Sequence, residues 1–146
     1  MRRIPVLFVA ALLAACSPGD QAVPEAMPEA AALTLADFAG TWQYTTTLTG
    51  VETPVSSTVH ASGTSSEWTM DLEGRPGIPM QASIVGDSLI TQSAEYESIL
   101  RPGVMVTVRT AGVLQDGMLM GNMVATYRTK AGEEVVPGTV HGKRVQ

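Results

Sequence analysis

Past residue 40 the chain alternates apolar and polar side chains with a period of two, the spacing of a strand that buries one face and wets the other. Trp42, Tyr44 and Leu48 fall on one side of the first such run; Thr41, Gln43, Thr45 and Thr47 fall on the other. The alternation returns in Val55, Val59 and Ala61, in Trp68, Met70 and Leu72, and in Met80, Ala82 and Ile84. It returns again in Val104, Val106 and Val108, and in Leu119, Met123, Ala125 and Tyr127. Turn signals separate the runs: Ser62-Gly63, Gly74 to Gly77, Gly86-Asp87, Pro102-Gly103, Asp116-Gly117 and Ala131-Gly132. Asp116-Gly117 is the strongest of them, because a two-residue type I′ hairpin needs positive φ at both centres, which this pair tolerates. The pattern predicts about eight short strands and leaves no stretch long enough for a crossover helix. The expected fold class is therefore all-β, a small antiparallel up-and-down barrel, with a β-sandwich as the alternative. A closed meander also leaves no bare strand edge.

The beginning of the chain has a different pattern. Met1-Arg2-Arg3 is followed by an apolar run from Ile4 to Leu13, then by Ala14-Ala15 and Cys16, the order of a secretory signal peptide. The run is well short of the roughly 20 residues a spanning helix needs, and Pro5 weakens it as a helix. From Ser17 to Ala32 the composition turns to Pro, Ala, Glu and Gly, with Pro18, Pro24 and Pro28 spaced through it. Such a stretch buries too little apolar surface to offset its ordering entropy, which predicts a flexible tether. Thr34 to Phe38 predicts one helical turn, with Thr34 as cap and Asp37 in the capping-box position.

Two resemblances sharpen this outline. Leu13-Ala14-Ala15-Cys16 resembles the lipobox of bacterial lipoproteins, which implies cleavage before Cys16 and lipid on its thiol. A thiol is the best nucleophile available to form a thioether with diacylglycerol, and the small alanines let the peptidase reach the backbone. Several acyl chains, at about 0.8 kcal/mol per buried methylene, then hold the chain at a membrane. Ser17 in place of an aspartate, by resemblance to enterobacterial lipoprotein sorting, implies the outer membrane, facing the periplasm. The expected division is a signal peptide over 1–15, a lipidated N-terminus and tether over 16–36, and a β-barrel domain over 37–146, long enough for one small core. Gly40-Thr41-Trp42, at the start of the first strand, resembles the Gly-x-Trp signature of the calycins, the lipocalins, avidins and related small barrels. In that family the tryptophan packs across one end of the barrel near a basic residue of the last strand. The resemblance implies this structural closure for Trp42 and Arg144, with Lys143 as the other choice; a guanidinium over an indole is worth about 1 kcal/mol.

Composition narrows the chemistry. Cys16 is the only cysteine, so the mature domain has no disulfide and relies on its core. The net charge is −5, and removing the leader takes away Arg2 and Arg3 but no acid. An acidic domain without a Lys/Arg cluster is not expected to bind nucleic acid. Gly86-Asp87-Ser88-Leu89 spells the tetrad of the GDSL esterases, which serve their serine with an Asp-x-x-His pair. Gly138 stands three residues before His141 and Ser57 three before His60, so neither histidine has its aspartate and a hairpin turn explains the tetrad. His60 and His141 lie far apart with no second cysteine, so no metal and no cofactor are expected. Glu95 and Glu97 read as a solvated strand face. Met70, Met80, Met105, Met118, Met120 and Met123, against few aromatics, imply a pliable interior or an adaptable apolar surface. Met118 and Met120, opposite Leu119, are the candidate contact surface. The expected function is a non-enzymatic, membrane-anchored binding or scaffold module for an apolar ligand or an envelope protein. The alternative is an inhibitor of a protease or other envelope hydrolase, using a protruding loop from Glu73 to Pro79; a third reading is an esterase using Ser88.

Overall fold

The structure is a computed structural model that describes residues 31–145; the signal-peptide and lipobox readings, Cys16 among them, and most of the predicted tether lie outside the described residues. A 3-10 turn, Leu35–Phe38, precedes nine strands among the described residues: β1 Gly40–Leu48, β2 Val55–Ala61, β3 Trp68–Leu72, β4 Arg75–Val85, β5 Ser88–Ser93, β6 Tyr96–Glu97, β7 Met105–Gln115, β8 Met118–Thr129 and β9 Gly132–Arg144. Each pairs antiparallel with its neighbour, in the order β5-β4-β3-β2-β1-β9-β8-β7-β6. β5 also pairs with β7, Ser88 opposite Val113 through Gln92 opposite Arg109, which closes an eight-stranded up-and-down barrel. No described helix is long and apolar enough to cross a membrane.

Two bulges shape the wall. The step from Gln92 to Tyr96 faces the shorter step from Arg109 to Val106, so the short β6 continues along β7 beyond one extra residue. Ser93 Oγ accepts the Val108 N–H at 2.9 Å, replacing a backbone acceptor where the ladder breaks. The second bulge lies between β3 and β4, where the register shifts from Met70 opposite Ile78 to Leu72 opposite Arg75. Gly77 holds φ +71° there, and its N–H donates to Asp71 Oδ1 at 2.6 Å. The hairpin at Asp116-Gly117 has φ of 51° and 78° with Gln115 opposite Met118, the two-residue turn its sequence predicts.

The wall alternates as the apolar pattern requires, so one set of side chains fills the interior. Trp42, Trp68, Phe38, Leu119 and Val140 are fully buried, and the rings of Phe38 and Trp42 meet at one end. Polar side chains are buried too, and Thr91 and Thr110 share a hydroxyl–hydroxyl bond of 2.6 Å across β5 and β7. A single Thr91→Val change orphans the Thr110 hydroxyl and is expected to cost about 1–3 kcal/mol, whereas the Thr91→Val/Thr110→Val double should be close to neutral. Urea unfolding of the three variants checks this; equal losses for single and double would show that the pair contributes nothing of its own.

Candidate functional site

The two ends of the barrel are built differently. At the first, the Trp42 indole is 1% exposed, its Nε1 donates to the Phe38 carbonyl at 2.7 Å, and the Phe38 ring lies 6.3 Å away, tilted. Trp42 on β1 is in register with Arg144 on β9, whose guanidinium sits 4.6 Å from the indole centroid. Arg144 also donates to the carbonyls of Ala39 and, at 2.7 Å, of Asp37, which ties the 3-10 turn across this end. A side chain at Gly40 would press against the guanidinium, with a Cβ 3.0 Å from Nη1, and Gly40 has φ +129°. The positive φ is what calls for glycine here, since the guanidinium is the end of a flexible side chain that could shift. This end is plugged.

At the opposite end the interior side chains are smaller and leave space. The space is a narrow slot of about 50 Å³, room for a few waters, and about 450 Å³ when its open mouth is included. Leu48, Val55, Met70, Leu72, Val106 and Met123 supply an apolar lining, and Ser57 and Ser98 add hydroxyls. Ile99 and Leu100 stand at the mouth, 36% and 38% exposed.

Those two residues belong to a segment that runs from the β5 bulge to β7 and is fastened on three sides. Glu95 pairs with Arg128 on β8, Glu97 with Arg75 on β4 at 3.4 Å, and Arg101 with Glu134 on β9 through two bonds of 2.7 and 2.8 Å. The Arg101 guanidinium also lies 4.2 Å from the Tyr127 ring centroid. Inside the segment Ser98 Oγ accepts the N–H groups of Leu100 and Arg101, both at 3.1 Å. The electrostatics follow from these partners. The Gly103 N–H, followed by Arg75, holds the Glu97 carboxyl below the usual range, and hydrogen bonding to Arg101 does the same for Glu134. Burial pushes the Tyr96 phenol up to about 12. A shallow cleft adjoins the slot on the outside, lined by Thr49, Glu52, Thr53, Arg101 and Val136; Leu100 and Tyr127 line both spaces.

Of the other residues singled out from sequence, only Glu95 and Glu97 belong to this segment. His60 and His141 are both exposed, on β2 and β9. His60 Nε2 meets Asp71 Oδ2 at 3.0 Å and its Nδ1 lies 3.4 Å from Thr41 Oγ1, a carboxylate–imidazole–hydroxyl row across three strands. The row stands on the convex outside of the barrel, and the Asp71 carboxyl is held low by the Gly77 N–H first and His60 second. Ser88 starts β5 after the Gly86-Asp87 turn, with its hydroxyl on Asp87 Oδ1 at 3.2 Å, and the order of strands puts β3 and β4 between it and His60. Glu95 and Glu97 form the ion pairs above instead of a free solvated face, because the bulge turns them toward Arg128 and Arg75. Met118 is 47% exposed and Met120 half-buried, both outward on β8 near the plugged end. Glu73 to Pro79 does not protrude: Leu72 lies opposite Arg75, and β4 begins at once.

Among the open-end residues, Leu100, Arg101 and Glu134 carry no mark in the sequence, and Tyr127 is marked only as an inward-facing strand position. Ile99-Leu100 directly before Arg101-Pro102-Gly103 was the available signal, since an apolar pair in a turn needs something to cover. Scans against protein-family models, curated proteins and solved structures gave no match to this chain.

Proposed function

We propose that this chain is an envelope lipoprotein, anchored through lipid on Cys16, whose calycin-like barrel takes an apolar ligand at its open end without transforming it. The observation that carries the reading is the apolar slot lined by Leu48, Val55, Met70, Leu72, Val106 and Met123, at the end opposite the buried Trp42 and its Arg144 cover. A void lined by aliphatic side chains loses dispersion contacts that a narrow aliphatic chain restores. The lipobox resemblance supports the anchoring, and the Gly40, Trp42 and Arg144 arrangement supports the calycin reading.

Titration of the mature domain with 1-octanol, followed by methyl NMR, tests it. Shifts are expected first at the methyls of Val106, Met123 and Met70, with a negative heat-capacity change in calorimetry. Ala125, buried in the wall of the slot, provides the control. Ala125→Met puts a pliable thioether into the space and is expected to weaken octanol binding by roughly tenfold or more while the fold persists. Unchanged binding in that variant would place the ligand outside the barrel and sink the reading.

A further inference from the structure

We propose that the ligand is a single-chain amphiphile whose polar head carries no negative charge, and that Glu134 sets this preference by occupying Arg101. The inference rests on the open end being a binding site, and it concerns the part of the ligand that the slot cannot hold. Leu100 and Tyr127 line both the apolar slot and the outer cleft, so a chain that enters past them leaves its head beside Arg101, Glu52, Thr49 and Thr53.

A lone arginine at the mouth of an apolar slot would select carboxylates, because its planar fork binds them through two parallel bonds. Here that fork is taken. Two guanidinium nitrogens donate to the two oxygens of Glu134, and the cation lies over the face of Tyr127. With the arginine neutralised by Glu134, Glu52 leaves the cleft one negative charge in excess. An anionic head would therefore compete with a bidentate partner already in place and meet a like charge as well. A hydroxyl head meets neither obstacle and finds Thr49 and Thr53 as partners of its own kind. Glu134 is thus a specificity-determining residue, acting through Arg101.

Binding of 1-octanol and octanoate to the mature domain at pH 7 and low salt, where octanoate is ionised and screening is weak, tests this. Octanol is expected to bind roughly tenfold or more tighter than octanoate. Glu134→Gln frees the guanidinium and should strengthen octanoate by about tenfold with little change for octanol; adding Arg101→Gln to that variant should abolish the gain. Octanoate binding as tightly as octanol to the native protein overturns the proposal without any variant. An equal gain for both ligands in Glu134→Gln, or a gain that survives Arg101→Gln, also overturns it. If neither ligand binds any form, the binding reading itself falls and takes this one with it, an outcome distinct from binding without selectivity.

Discussion

Trp42→Ala is expected to lower stability by about 3–5 kcal/mol, a large share of the roughly 5–15 kcal/mol a single domain holds. Three losses coincide. The indole is 1% exposed, so its removal leaves a void at the plugged end of the barrel. The Phe38 carbonyl loses its 2.7 Å donor, and the Arg144 guanidinium loses the ring 4.6 Å beneath it. Arg144 remains bonded to the carbonyls of Asp37 and Ala39, so the plug loosens without being released. Trp42→Phe separates the contributions: it keeps most of the apolar area and removes the donor, and should cost about 1–3 kcal/mol less than alanine does. Urea unfolding by far-ultraviolet circular dichroism gives both values. An alanine variant within about 1 kcal/mol of the native protein would show that this end contributes little. Octanol binding, at the other end, should survive the substitution.

Gly121→Ala is the second large effect, expected at about 3 kcal/mol or more, the upper range of overpacking. Gly121 on β8 faces Gly112 on β7, and the two backbones approach so closely that a Cβ would stand 2.2 Å from the Ala111 carbonyl oxygen and 2.5 Å from the Gly112 Cα. The obstacle is backbone on a paired strand, which no rotamer change can move. The sheet must part locally, and the pairs on either side, Met120 with Val113 and Asn122 with Ala111, part with it. Gly63→Ala is the matched control, since its nearest neighbours would be 3.8 and 3.9 Å away, and it should stay within about 0.5 kcal/mol of the native protein. Similar losses for the two variants would mean that close approach does not explain Gly121, since the backbone-entropy effect of Gly→Ala is itself stabilising.

The barrel was legible because a two-sided wall writes itself into a sequence as alternation, and because Asp116-Gly117 fixes one hairpin unambiguously. Trp42, Tyr44, Leu119, Met123 and Ala125 all face inward as their spacing requires. The interior was less legible where it is polar. Ser57, Thr91, Ser93, Ser98 and Thr110 are buried, and no apolar count marks them. The open end was least legible, for two physical reasons. A bulge shifts the register after Gln92, so Glu95 and Glu97 reach partners that their spacing alone does not indicate. The pairing of Arg101 with Glu134 joins residues that meet only once β8 and β9 have folded back, and long-range ion pairs leave no local pattern. The slot itself is an absence of atoms, set by Ala125, Ser57 and Val106 being small where Trp42 and Trp68 are large.

The seam between β1 and β9, from Trp42 opposite Arg144 to Leu48 opposite Gly138, joins stretches about a hundred residues apart, whereas the other pairings join stretches much nearer in sequence. Meander pairings of that kind form early, and the seam must wait for the whole sheet to curl. Until then two complementary edges stand bare, each the template for the other. Two molecules caught at that stage can satisfy each other's edges as well as their own, so crowding during refolding is expected to yield exchanged dimers that keep every native pair.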